Sequence, residues 1–477
     1  MSLPTARSRL EFLRLTIDGR ERSATYPALV QPALEGSGRG RLASAHKSDW
    51  CAAPATASIR SAAAQRPSFG STPTRLLMLL RRLLSVTACA LASFAAVSHA
   101  QVTRDSAGVR LVTYPRSAKP RATWSLSAQP LLELGATDDA ATELAAVRGV
   151  VRLADGRVAV ANGGNNEIRV FSSDGQFVRA LGRAGSGPGE FRRITRLLRR
   201  GDTLVGVDAD SRAHVFEPTG RLVRSLRPAP RAGSRSPQRI GLGVGPTSYV
   251  LVTDGAPIAE RERQVILQTL AVADAAGDSL LPFVTVPGYH TSPINGTPAR
   301  QLLDAEGVVA ASDSSVCAGY SDRLVITCYR HTGRARLRIS RDLAPRAIRE
   351  EERALVRQAY LDANRDAPPA VRQQMATAVQ AFPFASTAPM FSRLVLGLDG
   401  ELWVSPFDPG VGLPGPAAPL APATQQTWSV FAPDGTWRAE VTLPPRFAPF
   451  EFGRDYVAGV AFDADDVERV VVWGLRR

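Results

Sequence analysis

Short alternating runs of apolar and polar residues, broken by Gly-containing turns, fill most of the chain beyond residue 100. The clearest stretch is 155–182, DGRVAVANGGNNEIRVFSSDGQFVRALG, followed by 201–226, GDTLVGVDADSRAHVFEPTGRLVRSL. Each contains a short β-branched strand (Arg157–Ala161; Thr203–Val207), then a polar loop with Asn or Asp. A strand ending in Val-Phe follows (Val170-Phe171; Val215-Phe216), then a turn closing in Gly (Gly175; Gly220) and a last strand. The turn glycines are 45 positions apart. Gly supplies the positive φ that tight hairpins need. A four-strand unit of roughly 40–50 residues is the signature of a propeller blade.

Weaker copies follow. Tyr249–Thr253, Val265–Val272 and a turn at Gly277 make a third. Val316–Gly319, Leu324–Tyr329 and a turn at Gly333 make a fourth. DGELWV at 399–404, Trp428–Phe431 and Asp434-Gly435 make a fifth. Tyr456–Phe462 and Val467–Trp473 supply part of a sixth. The orphan strand Gly108–Tyr114 (GVRLVTY) is expected to complete that last blade and remove an exposed edge. The pattern changes at 346–382. There Ile348, Leu355, Val356, Ala359 and Tyr360, then Val371, Met375, Ala378, Val379 and Phe382, recur at helical spacing, with Pro368-Pro369 suiting a helix start. The expected fold is therefore all-β: a six-bladed β-propeller of four-stranded antiparallel blades over 101–477. It carries a small helical insertion (346–382) between blades four and five, its apolar stripe packed on the propeller, and a long Pro/Gly/Ala loop at 406–423.

The first hundred residues read differently. Residues 78–100, MLLRRLLSVTACALASFAAVSHA, combine Arg81-Arg82, an apolar stretch from Leu83 to Val97 and small residues before Gln101. That is the layout of a secretory signal peptide, too short for a comfortable membrane span. It places the protein outside the cytoplasm, periplasmic or secreted, with no stable span after cleavage. Lipidation at Cys89, after Val86-Thr87-Ala88, is the alternative anchor. Residues 1–77 show no sustained period and are expected to be a non-structured extension, or to precede the true start at Met78.

Charge changes the picture little. The formal net charge is +14, of which +8 lies in residues 1–100. The basic residues are almost all Arg, with lysines only at 47 and 119, and they are scattered among acids. Nucleic-acid binding needs basic residues clustered on one face, so no nucleic-acid partner is expected, and the protein is expected to be a monomer.

Candidate chemistry is sparse. Cys317 and Cys328 flank Asp322-Arg323 symmetrically; if that pair tips a hairpin, the two cysteines face each other and a disulfide is geometrically possible, two separately buried thiols being the alternative. Beyond residue 100 the histidines are His214, His290 and His331, none at metal-ligand spacing. His214 reads as a strand residue. His290, in PGYHTSPING, is a candidate ligand-binding residue on a loop over the propeller mouth. Asn162, Asp208 and Asp254 end the second strand of successive units, with Asp463 a looser match. They are either turn caps, the favoured reading, or metal-binding candidates converging on the axis. The glycine-rich GSGPGEF at 185–191 lacks the Lys-Ser/Thr of a phosphate loop and reads as an inter-blade connector.

Taken together, NEIRVF at 166–171, DGQF at 174–177 and GSGPGEF at 185–191 resemble an NHL repeat, over about 150–226. The likeness departs where Arg192-Arg193-Ile194 follows Phe191 instead of Pro. The whole of 101–477 is also similar to a group of exported six-bladed propellers of GC-rich soil bacteria. The resemblance implies a fold and leaves the reaction open. Two functions fit: a binding or protein-interaction module with an unidentified protein, glycan or small-molecule ligand, and no cofactor; or a metal-dependent hydrolase or lyase, of the lactonase or NHL-lyase type, with a central Ca²⁺ or Zn²⁺ ion.

Overall fold

The computed structural model describes residues 12–17, 20–25, 101–135, 143–210, 212–226, 239–243, 249–260, 263–273, 280–294, 297–330, 332–410 and 424–477. Residues 1–77 and 78–477 form two separate units. In the first, Phe12–Ile17 pairs antiparallel with Arg20–Thr25, Ile17 opposite Arg20. The segment 78–100, Gly277, His331 and 411–423 lie outside the described residues.

The second unit is mostly β; among the described residues its strands form sheets of four, four, five, six and eight strands and a two-stranded pair, built from antiparallel modules that succeed one another along the chain. The first two match the repeat. Val147–Arg152, Val158–Asn162, Glu167–Phe171 and Phe177–Leu181 form one four-stranded meander; Ile194–Arg200, Thr203–Asp208, Ala213–Phe216 and Leu222–Leu226 form the next. Their second strands are buried along their length, because inward residues on both faces meet neighbouring sheets. Gly175 and Gly220 have φ of 91° and 98°, the left-handed turn conformation their spacing predicted.

The third module has five strands: Arg239–Gly243, Tyr249–Glu260, Arg263–Ala273, Leu280–Ile294 and Thr297–Arg300. PGYHTSPING, expected as a loop, is largely strand. Its prolines sit where a strand tolerates them: Pro287 faces Leu267 at a register shift, and Pro293 pairs with Pro298 in the terminal hairpin.

The fourth module (Gly307–Ala311, Ser315–Tyr320, Leu324–Arg330, Ala335–Arg341) gains two further strands. Val109–Tyr114 lies parallel to Ala335–Arg341, and Val102–Ser106 pairs outside it. The GVRLVTY strand therefore does not complete the last module. Its side chains explain the choice: Val112 and Tyr114 are buried with Leu337, Ile339, Phe431 and Trp437. The Tyr114 hydroxyl donates to the Gly435 carbonyl (2.7 Å) and accepts the Trp437 N–H (2.6 Å).

The strand that completes the last module is Ala122–Leu134. It pairs antiparallel with Glu468–Arg476, the third strand of the sixth module (Phe447–Phe452, Tyr456–Phe462, Glu468–Arg476). Its first residues pair parallel with Trp437–Leu443 of the fifth module (Leu394–Leu396, Leu402–Val404, Gln426–Phe431, Trp437–Leu443). Modules five and six thus share one eight-stranded sheet instead of two separate four-stranded ones. The first strands of all six modules lie beside one another in cyclic order, with 447–452 returning to 147–152.

Two helices follow the fourth module, α1 (Glu350–Asp362) and α2 (Pro369–Ala378). Val356 of α1 packs with Leu302, Leu303 and Ile348. Leu355, placed on the packed stripe by spacing, is exposed, and α2 buries none of its residues. Of that second segment, Val379 is buried and Phe382 packs against the Val356 cluster, both beyond the end of α2. The Glu352 carboxylate holds the base of the insertion together through Arg346 (2.6 Å) and Arg349 (3.3 Å). The Arg346 bond and the Arg349 N–H outweigh burial and bring its pKa down to about 2. Among the described residues no helix is long and apolar enough to cross a membrane.

Candidate functional site

One rim of the module array is built by a recurring device. The residue at the end of the second strand, or the one just after it, returns a polar side chain to the lead-in of the first strand of the same sheet. Asn162 Oδ1 accepts the Ala145 N–H at 3.0 Å. Asp208 accepts the N–H groups of Arg193 (2.8 Å) and Arg192 (3.0 Å). Ser321 Oγ accepts Glu306 N–H, and Ser405 Oγ accepts Arg393 N–H, each at 2.9 Å. All four side chains are buried. Each bond gives a part-buried N–H group at the strand lead-in its partner.

Asn162 and Asp208 are thus staples, each serving its own sheet. Asp208 also receives Arg212 at 2.6 Å. Burial opposes its charge, but the Arg193 and Arg192 N–H groups and the Arg212 guanidinium outweigh it and hold the carboxyl below its ordinary range. Asp254 does something else: Oδ1 accepts Gln268 Nε2 (3.1 Å) and Oδ2 accepts the Tyr289 hydroxyl (3.3 Å). Asp463 caps its own turn, accepting N–H groups of Asp465 and Val467 at 3.0 Å. Among the described residues, no three His, Cys, Asp or Glu side chains are grouped to hold a metal ion.

The rim is richest chemically between modules three and four. His290, buried on the strand Leu280–Ile294, places Nδ1 2.5 Å from Asp304 Oδ2 and 3.2 Å from the Tyr320 hydroxyl. The Tyr320 ring meets the imidazole edge-on at 6.1 Å between centroids. Beside this triad, Asp254 links Gln268 and Tyr289. The Arg300 guanidinium lies 4.9 Å from the Tyr289 ring centre and pairs with Glu306. Three buried polar atoms in this neighbourhood have no hydrogen-bond partner: Gln268 Oε1, Thr291 Oγ1 and Gln301 Oε1. Such atoms are rare in native interiors, and each calls for a partner.

The helical insertion fixes this site. Leu302 bridges to Phe384, and Leu302 and Leu303 are buried against Val356 and Ile348. Leu303 adopts φ +54°, a conformation that β-carbon sterics disfavour and tertiary packing must hold. The next residue is Asp304. Tyr360 of α1 is close enough to Arg300 to feel its charge, although burial dominates and raises the phenol pKa.

The remaining candidates are structural. His214 Nδ1 accepts the Gly189 N–H (3.1 Å) and lies 2.7 Å from Ser225 Oγ, with the ring edge-on to Phe191. Burial, then the Arg212 charge, depresses its pKa. It anchors the GSGPGEF connector. That connector is closed by its own Glu190, which accepts the N–H groups of Ser186 (3.0 Å) and Gly187 (2.8 Å) where a bound anion would need them. Cys317 and Cys328 are directly opposed in register and disulfide-bonded. Sequence reasoning missed Asp304 and Tyr320. Neither lies in a motif, and only the pairing of modules three and four brings them to His290.

Comparison with known proteins addresses the fold. The model of a family described as a 6-bladed beta-propeller matches residues 137–198, the first module and the start of the second. No curated protein matches the chain. Among solved structures, a Bacteroides fragilis protein is similar at 11% identity over 77% of this chain and 99% of its own, with a TM-score of 0.37. A member of the DUF4221 family from Bacteroides vulgatus is similar at 10% identity over 75% and 99%, with a TM-score of 0.46. The computationally designed Ika8 protein is similar at 12% identity over 72% and 99%, with a TM-score of 0.33.

Proposed function

We propose that the chain is an exported six-bladed β-propeller that acts as a binding module, taking a polar, hydroxyl-rich ligand such as a glycan at the rim between modules three and four. The cyclic order of the six first strands supports the six-bladed reading. The signal-like segment 78–100 supports export. The observation that carries the ligand reading is a set of three buried polar atoms without partners, Gln268 Oε1, Thr291 Oγ1 and Gln301 Oε1; Gln268 shares Asp254 with Tyr289, Thr291 follows His290 in the strand, and the Gln301 N–H donates to the His290 carbonyl. Hydroxyl groups both donate and accept, so a polyol can satisfy such a mixed set. The resemblance to NHL repeats fits this role, since propellers serve as interaction platforms.

The test is saturation-transfer NMR against a panel of mono- and oligosaccharides, using the full chain and the variants Asp304→Asn and Gln268→Leu. Transfer to a saccharide by the wild type, weakened in both variants, supports the reading. Absence of transfer across the panel, or transfer unchanged in both variants, removes this rim as the site.

A further inference from the structure

Three first strands lie side by side where module six returns to module one and module one meets module two: Phe447–Phe452, Val147–Arg152 and Ile194–Arg200. Near their ends they gather a carboxyl and two guanidinium groups around one tyrosine. The Tyr456 hydroxyl donates to Glu451 Oε1 at 2.5 Å and lies 3.5 Å from the Arg152 carbonyl oxygen. The Arg152 guanidinium stands over the Tyr456 ring, its carbon 4.9 Å from the ring centre. Arg199 reaches across from module two and donates to that same Arg152 carbonyl at 2.7 Å. Glu451 Oε1 also accepts the Arg152 N–H at 2.9 Å. Contacts to one residue, Arg152, thus join modules six, one and two.

Each group keeps unused capacity. Both hydrogen bonds of Glu451 go to Oε1; Oε2 has no protein partner and is not sealed from solvent. Arg199 commits Nη1 to the Arg152 carbonyl and Nε to the Gly201 carbonyl (2.9 Å), leaving Nη2. The Arg152 guanidinium rests on the tyrosine ring, so its fork of donors is uncommitted. Neither half-buried arginine forms an ion pair among the described residues, and their spare nitrogens are likewise open to solvent. Burial pushes the Glu451 carboxyl above its ordinary range, against the Tyr456 hydroxyl, the Arg152 N–H and the charges of Arg199 and Arg152. A carboxyl that retains its proton, with both acceptor duties on Oε1, presents an O–H at Oε2. Two guanidinium groups with donors to spare beside a neutral acid suit the oxygens of an anion.

We propose that the junction of modules six, one and two is an oxyanion site, in which Arg152 and Arg199 hold a carboxylate, phosphate or sulfate group and Glu451 donates to it from Oε2. The site rests on these contacts alone, and depends neither on the number of blades nor on the polyol site between modules three and four.

Isothermal titration of the full chain at constant ionic strength tests it. Sulfate serves as a tetrahedral oxyanion that keeps its charge, and acetate, separately, as a planar carboxylate. The wild type is expected to bind at least one of the two at pH 6. Stronger binding of sulfate favours a phosphorylated or sulfated ligand; stronger binding of acetate favours a carboxylic acid. Arg152→Gln and Arg199→Gln are each expected to weaken that binding by about tenfold or more, the loss of one charge-assisted contact. Phenylglyoxal modification of the wild type, read by peptide mapping, probes the same contacts without a variant: the bound anion is expected to protect both Arg152 and Arg199. Glu451→Gln puts an amide donor in place of a carboxyl that ionises, and is expected to tighten binding at pH 8 by about threefold or more. No binding of either anion, binding unchanged in both arginine variants, or labelling of the two arginines that the anion leaves unaltered overturns the site. Loss of binding in Glu451→Gln overturns Glu451 as its donor.

Discussion

Nδ1 of His290 lies 2.5 Å from Oδ2 of Asp304, joining a strand of module three to the lead-in of module four. Both side chains are largely buried, so neither can turn to bulk water if the other is removed. Asp304→Ala is expected to destabilise the protein by about 1–3 kcal/mol, the cost of removing a hydrogen bond from a buried polar network. His290→Ala should cost a similar amount, and the double variant less than the sum, because both act on one network. Urea unfolding of the four proteins checks this; strict additivity would show that the contact contributes nothing of its own.

The four staples should differ in a graded way. Ser321→Ala removes one neutral hydrogen bond and Ser405→Ala two, the second being from Ser405 Oγ to the Pro406 carbonyl, and they are expected to cost about 1 and about 1–2 kcal/mol. Asp208→Ala removes two lead-in acceptors and one of the two carboxylates that pair with Arg212, so a larger loss, about 2–3 kcal/mol, is expected. Asp208→Asn should fall between. Denaturant midpoints at neutral pH give the order, and equal losses for Ser405 and Asp208 would contradict the assignment.

The position of these staples was legible in the sequence only in part. Asn162 and Asp208 stand out because the first two modules repeat so closely. Ser321 and Ser405 perform the same task with a different side chain, so no residue-type pattern links them to the others. The closing strand shows a related limit. Gly108–Tyr114 reads as a free strand because it alternates cleanly, whereas Ala122–Leu134 contains Pro130 and serves two sheets, which blurs its period. The length of module three is hidden for the same reason: Pro287 and Pro293 look like loop residues, although one sits at a register shift and the other in a terminal hairpin. The turn glycines and the cysteine register depended only on local spacing, and those the sequence displays directly.

Two buried glutamates give opposite pH signatures. Burial raises the pKa of Glu451, although the Tyr456 hydroxyl (2.5 Å) and the Arg152 N–H (2.9 Å) both donate to it. The folded state therefore binds its proton more tightly than the unfolded state, and stability falls as pH rises above the ordinary glutamate value of about 4.3. Glu451→Gln is expected to remove that fall and to raise the melting temperature at pH 7. Glu352, brought down to about 2, behaves in reverse: its contribution is present above the ordinary value and is lost as pH drops toward 2. Glu352→Gln should flatten the acid limb of the melting curve and lower stability at pH 7. Melting temperatures from pH 3 to 8 for both variants separate the two effects.

Metal removal supplies a direct comparison between the binding module and a metal-dependent hydrolase. Asn162 and Asp208 commit oxygen atoms to backbone N–H groups, and Asp254 to Gln268 and Tyr289. Melting of the full chain is therefore expected to be unchanged by EDTA, within about 1 °C. A chelator-induced fall, restored by Ca²⁺, would mean that these oxygens are redeployed around an ion.

The disulfide gives the last prediction. Cys317 and Cys328 lie 11 residues apart in sequence and are buried at 0% and 2% exposure. Closing so short a loop restricts the unfolded chain enough to stabilise the fold by about 3 kcal/mol, in the chain-entropy view. The sulfurs are out of reach of solvent in the native state, so a reductant should act only through opening of module four. Native protein is expected to resist alkylation at both cysteines in the presence of mild reductant, while reduction in urea followed by refolding gives a lower melting temperature. Cys317→Ala with Cys328→Ala should reproduce that loss without reductant, because both remove the same cross-link. Peptide mapping after alkylation reads the first result and calorimetry the second. Ready alkylation of the native, unreduced chain at Cys317 or Cys328 would show that the bond is absent in solution.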